Sequence, residues 1–289
     1  MRKNYILLFF ILSTGFNVFA GGPWTPAKGT GYFKLSEWWI VYDEHFTDTG
    51  LRDPNVTTGI FSTYFYAEYG LTNRLTGLFN GPIFTRNYMN NLISRTTNEL
   101  IAEGEAINSI GDIDLGLKYA LVKPGKGLPI SASLILGLPT GKSIGGKAGN
   151  LQTGDGEFNQ MIQIDAGGGY TIGSINSYLS TYVGFNNRTE GFSEEFRYGI
   201  ETGFGFMNQK LWTILRLTGI ESLKNGDTAA TTNNTSIFAN NTEFTSYTIE
   251  ANYYVTKKVG ISASFAGAFR GEIIAAAPSY SFGIFLDLK

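Results

Sequence analysis

Asp112-Ile113-Asp114-Leu115-Gly116-Leu117-Lys118-Tyr119-Ala120-Leu121-Val122 divides its side chains cleanly in two. Ile113, Leu115, Leu117, Tyr119 and Leu121 fall on one face, and Asp112, Asp114, Gly116, Lys118 and Ala120 on the other. Successive side chains of a strand point to opposite faces, so a period of two reads as a β-strand, whereas a helical period would mix the two sets. Working outward, Ile130, Ala132, Leu134, Leu136 and Leu138 alternate with Ser131, Ser133, Ile135 and Gly137. Phe196, Tyr198, Ile200, Phe204 and Phe206 oppose Arg197, Gly199, Glu201, Gly203 and Gly205, and Tyr280, Phe282, Ile284, Leu286 and Leu288 oppose Ser281, Gly283, Phe285 and Asp287. One face is apolar and the other is small or polar.

Marking every such segment predicts strands beginning near residues 31, 60, 75, 111, 129, 158, 175, 196, 210, 244, 259 and 279. Most run roughly 10–13 residues, the length a tilted strand needs to cross a bilayer and about twice that of an ordinary globular strand. Short turns at 72–74, 123–127, 171–174, 208–209 and 256–258 alternate with longer polar stretches at 43–59, 85–110, 140–156, 187–195, 222–243 and 271–278. Tight periplasmic turns and long outside loops are the signature of outer-membrane barrels. The reading is an all-β, antiparallel, up-and-down transmembrane barrel of about 12 strands (12–14) with both ends periplasmic. A secreted β-sandwich would alternate too, but it would not need aromatics near its strand ends. Here Tyr69, Tyr119, Tyr170, Phe185, Phe206, Tyr253, Phe269 and Tyr280 cluster where an interfacial girdle would sit.

Composition agrees. The chain is 15% aromatic but only 16% charged, with 37 glycines in 289 residues, which is glycine-rich and charge-poor beside typical soluble domains. With 22 basic against 24 acidic residues there is no basic patch for nucleic acid, and zero Cys excludes disulfides and thiolate metal sites. Arg2 and Lys3, the apolar run Tyr5 to Leu12 and the small residue Ala20 read as a signal peptide over 1–20, cleaved after Ala20. That leaves 21–289 as one barrel domain, exported to the outer membrane.

Apparent catalytic signals weaken on inspection. Gly137 to Ser143 resembles a phosphate loop, but it has three residues between Gly137 and Gly141 where the motif needs four. His45 is the only histidine and falls in the first outside loop; no serine motif surrounds a partner for it. Asp155 lies in a Gly/Asp turn without the evenly spaced ligands of a calcium loop. Asn55 and Asn187 begin glycosylation-like triplets of a kind common by chance. No enzyme, metal or cofactor is expected.

If parity holds, Glu68, Asp112, Asp114, Asp165, Glu201, Glu250 and Asp287 point into the barrel beside Lys118, Arg197, Arg216 and Arg270. Such charges pair or stay hydrated, so they either brace the wall or form a polar ladder that guides a solute. Tyr64, Tyr66, Tyr178, Tyr182, Phe244, Tyr254 and Phe285 share that inward face. Aromatic faces with few charges suit small, weakly polar or aromatic solutes better than ions or sugars. Eight strands fill their lumen with side chains and sixteen leave an aqueous channel, so about twelve leave a narrow or partly occluded pore.

Gly111 to Leu121, then Leu136 to Gly141, then Thr153 to Gly156 with the strand from Glu157, resemble successive elements of the outer-membrane proteins grouped with the phenol-degradation MetA pathway, distant relatives of FadL-type hydrophobic-compound transporters. Tyr66 to Arg74 is similar to that family's second strand and turn. The resemblance spans roughly residues 60 to 170 and implies passive uptake of small hydrophobic or aromatic compounds across the outer membrane. Its implied partners are outer-membrane lipid, the barrel-assembly machinery and the solute, for a monomer. The chain departs from the family in having too short an N-terminus for a folded hatch and in ending Leu288-Lys289 rather than on an aromatic. The alternative is a structural or surface-interaction barrel with a plugged lumen, whose Asn/Thr-rich loop at 222–243 meets partners.

Overall fold

A computed structural model describes residues 21–227, 230 and 237–289. The leader expected at 1–20 and much of the Asn/Thr-rich loop lie outside the described residues. Twelve long strands form the wall: β1 (Gly31–Phe46), β2 (Arg52–Gly70), β3 (Leu75–Met89), β4 (Ile113–Ala120), β5 (Ile130–Leu138), β6 (Asn159–Ile172), β7 (Ile175–Asn187), β8 (Glu195–Phe206), β9 (Leu211–Ser222), β10 (Glu243–Tyr254), β11 (Val259–Glu272) and β12 (Ser279–Leu288). Each pairs antiparallel with its sequence neighbour, and β12 returns to β1 in a register running from Gly31 opposite Leu288 to Ile40 opposite Ser279. The sheet is therefore a closed barrel with no free edge, and its main-chain groups are satisfied between strands, as a bilayer requires.

The outer face is dressed for lipid. Leu117, Leu134, Ile162, Val183, Ile200, Leu217, Ile249 and Ile284 are all exposed, a continuous apolar surface that water would not tolerate. Tyr69, Tyr119, Phe206 and Tyr253 ring the short-turn end, and Phe185, Phe269 and Tyr280 the other. Tyr170 is more covered and reaches the Thr202 hydroxyl at 3.0 Å.

Strand starts fall within two residues of those expected, except at β2. That strand begins at Arg52, because β1 and β2 stay paired through His45 opposite Asp53 and Phe46 opposite Arg52. The expected 43–59 loop is thus only a turn at 47–51, and His45 sits on a strand rather than in a loop. Above the membrane both faces of a strand meet water, so alternation loses its cause and the pattern falls silent. The neighbouring 85–110 stretch behaves similarly: β3 runs to Met89, and Glu105–Ser109 pairs with Thr85 to Met89. At about 3.3 Å per residue the 19 residues of β2 reach about 60 Å, twice the hydrocarbon thickness, while β4 has only 8. One side of the wall is tall and the other is low.

Two register shifts matter for the interior. One falls opposite Thr63 and Tyr64, where β3 carries an extra residue at Ile83; the other falls at Phe269 in β11. The second reverses the parity of the residues beyond it, so Arg270 stands opposite outward-facing Thr245 and bonds Glu221 on the exposed side. Its expected inward placement is corrected: an unforeseen bulge turned it around. A further shift between Tyr42 and Glu44 lies in the tall extension of β1 and β2, away from the inward residues expected above. Tyr178 and Tyr182 stand opposite Gly203 and Gly199 of β8, whose missing Cβ atoms let the rings lie against the backbone.

Candidate functional site in the barrel lumen

The register carries the remaining inward residues to shared heights across neighbouring strands. Glu201 stands opposite Arg216, and Arg216 bonds both Glu201 and Glu250, the latter at 2.6 Å. Lys34 of β1 reaches Glu250 from the far side at 2.9 Å, and the Tyr178 hydroxyl donates to Glu201 at 2.5 Å. Lower down, Lys118 pairs with Glu68 at 3.2 Å, and the Tyr66 hydroxyl donates to the same carboxylate. Asp114 takes the Asn80 side-chain amide at 3.3 Å, and Asp165 takes the Gln163 amide at 2.8 Å. Near the periplasmic rim Asp287 receives the Tyr254 hydroxyl at 2.6 Å and the Lys289 ammonium at 3.0 Å. Arg197 turns toward the outer rim and pairs with Glu195 at 2.6 Å. Phe244 stands opposite Ile220 at that same end.

Asp112 belongs to a different construction. Its carboxylate accepts the backbone amides of Gly141 and Asp155 at 2.9 and 2.8 Å, fastening the 139–158 loop instead of lining the pore. Burial, with Asp155 close by, pushes its carboxyl up to about 7. Beside it Arg188 bonds Glu157, Glu195 at 2.7 Å and Asp155 at 3.2 Å, with its guanidinium 4.5 Å above the Phe192 ring. Asn87 of β3 donates to the Gln152 carbonyl at 2.8 Å, and Phe238 packs on Ile40, Tyr42, Ile60 and Ala275. Three outer loops therefore fold inward over the mouth.

The periplasmic end is filled from below. Lys28 and Gly29 tie to Asn73 and Gly70, after which the chain before them climbs into the barrel. Trp24 meets Tyr178 edge-on at 5.5 Å, Pro23 is fully buried, and Gly21 lines the central cavity. The described residues that precede β1 thus occupy the lumen from the periplasmic side.

What remains is a chamber of about 410 Å³ bounded by Tyr32, Lys34, Trp38, Tyr64, Tyr66, Glu201, Arg216 and Glu250. Below it lies a vestibule of about 450 Å³ lined by Tyr32, Trp212, Asn252, Tyr254, Phe285 and Lys289. Tyr32, only 4% exposed, stands between them, stacked on Phe285 at 5.5 Å and edge-on to Tyr66 at 6.2 Å. Trp38 meets Tyr64 edge-on at 6.4 Å on the chamber wall. Lys34, Trp38 and Tyr32 were not singled out from the sequence, although Lys34 between Phe33 and Leu35 carries the same alternation signal as Lys118. Trp24, Arg188 and Glu157 lie outside any periodic pattern, so nothing local announced them.

No family model and no curated protein matches this chain. Among solved structures it is similar to the COG4313 outer membrane channel from Pseudomonas putida F1, with a TM-score of 0.56 at 14% identity over 93% of this chain and 99% of that one. The chain has the outer-membrane β-barrel fold. Looser likenesses are the beta domain of the Bordetella autotransporter BrkA, with a TM-score of 0.48 at 11% identity over 90% and 100% of the two chains, and the NanC porin, at 0.47 and 8% over 89% and 99%. The barrel's closure, its apolar girdle and its likeness to the Pseudomonas putida channel together make it a bacterial outer-membrane protein.

Proposed function

We propose that this barrel is a passive outer-membrane channel or carrier for small hydrophobic or aromatic compounds, working as a monomer inserted by the barrel-assembly machinery. The observation that carries the reading is the central chamber: three tyrosines and a tryptophan on one side, a hydrogen-bonded Arg216 network on the other. Ring faces take up an aromatic solute by offset or edge contacts, while the charged side gives its polar substituent a partner. The Pseudomonas putida neighbour is a channel by its description, and the resemblance to the MetA-pathway group points the same way. In this reading outer loops capture the solute, Tyr64, Tyr66 and Tyr32 hand it down, and the vestibule releases it.

Planar-bilayer conductance of the purified barrel, with and without phenol, tests this. Phenol is expected to block the current partly, and Tyr64→Ala to weaken that block about two- to twelvefold by removing an aromatic contact of about 0.5–1.5 kcal/mol. Conductance indifferent to phenol would overturn the solute class. A plugged structural barrel is the second reading, favoured by Phe238 packing across the mouth. Electrical silence from a demonstrably folded barrel would establish it instead.

A further inference from the structure

Around Gly21 the lining of the lumen carries more carboxylates than cations, and the further cation that acts on Asp165, Lys118, is bonded to Glu68. Two adjoining cavities meet at Gly21, one of about 410 Å³ and one of about 200 Å³, and between them they are lined by three carboxylates, Asp165, Glu201 and Glu250, but only two cations, Lys34 and Arg216. Glu250 is saturated by Lys34 and Arg216, and Glu201 by Arg216 and Tyr178. Asp165 is not: it is 2% exposed, its Oδ1 accepts from Gln163, and its Oδ2 has no hydrogen-bond partner. A buried carboxylate oxygen left unpaired is costly, and a donor is wanted there.

We propose that Asp165 forms a binding site for a primary ammonium group, and that its resident occupant is the α-amino group of Gly21. The proposal rests on cleavage after Ala20, which converts Gly21 from an ordinary amide into an ammonium carrying three donors and a positive charge. The approach suits that end of the chain. Gly21 and Gly22 both have positive φ, 78° and 76°, a backbone conformation that favours glycine, and a Cβ on Gly22 would sit 2.9 Å from the ring of Trp24 in the same segment and 3.3 Å from the Ser180 hydroxyl of the wall. Trp24 against Tyr178 and buried Pro23 then hold the segment where Gly21 lines the same small cavity as Asp165. The processed chain supplies its own ion-pair partner, and the plug is locked by charge as well as by packing.

The precursor is expressed, and the mature barrel is extracted from outer membranes and weighed intact. A mass corresponding to a Gly21 terminus is expected; any other terminus overturns the processing and the ammonium site together. With that terminus established, an amine-selective acylating reagent is applied at neutral pH to folded and to denatured protein. Gly21 is expected to react at least tenfold more slowly when folded, and Asp165→Asn to restore much of that reactivity. Equal rates in folded and denatured wild type overturn the site while the processing stands. As a measurement independent of the Asp165 variant, removing residues 21–26 behind the same leader is expected to raise single-channel conductance severalfold; unchanged conductance from that variant also overturns the proposal.

Discussion

Arg188 and Arg216 are each gripped by carboxylates from neighbouring segments, yet they live in opposite surroundings. Arg188 has a side chain only 4% exposed, three acidic partners and an aromatic lid, and it joins two outer loops to the start of β8. Arg216 is 23% exposed, has two acidic partners and faces a cavity. The first is enclosed, with each guanidinium nitrogen on an acid, and holds the rim together. The second keeps a face toward open volume, where a passing solute can exchange with its present partners. The same side chain is a brace where it is enclosed and a contact surface where it is not.

The largest effect should come from Arg188→Met. Removing the guanidinium leaves Glu157 buried without a counter-charge and Glu195 with Arg197 alone, and the barrel is expected to lose about 3–5 kcal/mol, read from its urea unfolding midpoint in detergent. A loss no larger than that of the Arg216 variant would erase the contrast. Next comes Gly203→Val, which drives a side chain into the Tyr178 ring and should cost about 1–3 kcal/mol by the same assay. Arg216→Gln is expected to cost about 1–2 kcal/mol, because water in the chamber can solvate Glu201 and Glu250. Its clearer signature should be electrical: a reversal potential in a salt gradient shifted toward cation selectivity. An unchanged reversal potential would show that Arg216 is not in the ion path.

The smallest effect is local and depends on pH. The Asp112 carboxyl is raised to about 7 in the folded barrel, against roughly 4 in the unfolded chain, so the folded state holds its proton more tightly. Stability from this group is therefore fully present below about pH 4 and declines as pH rises toward 7. Backbone amides of Gly141 and Asp155 should exchange faster at pH 8 than at pH 5.5 after correction for intrinsic rates, and Asp112→Asn should flatten that dependence. A loop whose protection ignores pH in the wild type would remove Asp112 from the rim's fastening.

Most of the wall was legible because lipid on one side and a polar lumen on the other impose opposite demands on alternate residues. Glu201, Arg216, Glu250 and Lys118 could be placed by parity alone for that reason. Legibility failed where that contrast is absent. In the extension of β2 beyond Gly59 toward Arg52 both faces meet water, and at Phe269 one extra residue shifted Arg270 outward. It failed again for Trp24 and Arg188, whose positions depend on segments far apart in sequence: Trp24 on Tyr178, Arg188 on Asp155. The expected polar ladder included Asp112, which fastens a loop, and lacked Lys34, which bonds Glu250, and its separate networks could not be read because pairing across the lumen is decided by barrel geometry.

The closing seam between β1 and β12 has a consequence in time. Every other pairing among the twelve wall strands joins strands adjacent in sequence, so each hairpin can form as soon as its own residues are available. The seam must bring Gly31 against Leu288, and until it does both end strands keep unpaired main-chain groups that a membrane interior will not accept. Completion of the barrel is thus a single late event that depends on both ends of the chain at once, and a polypeptide lacking its last strand would stop there as an open, adhesive sheet instead of a slightly smaller barrel.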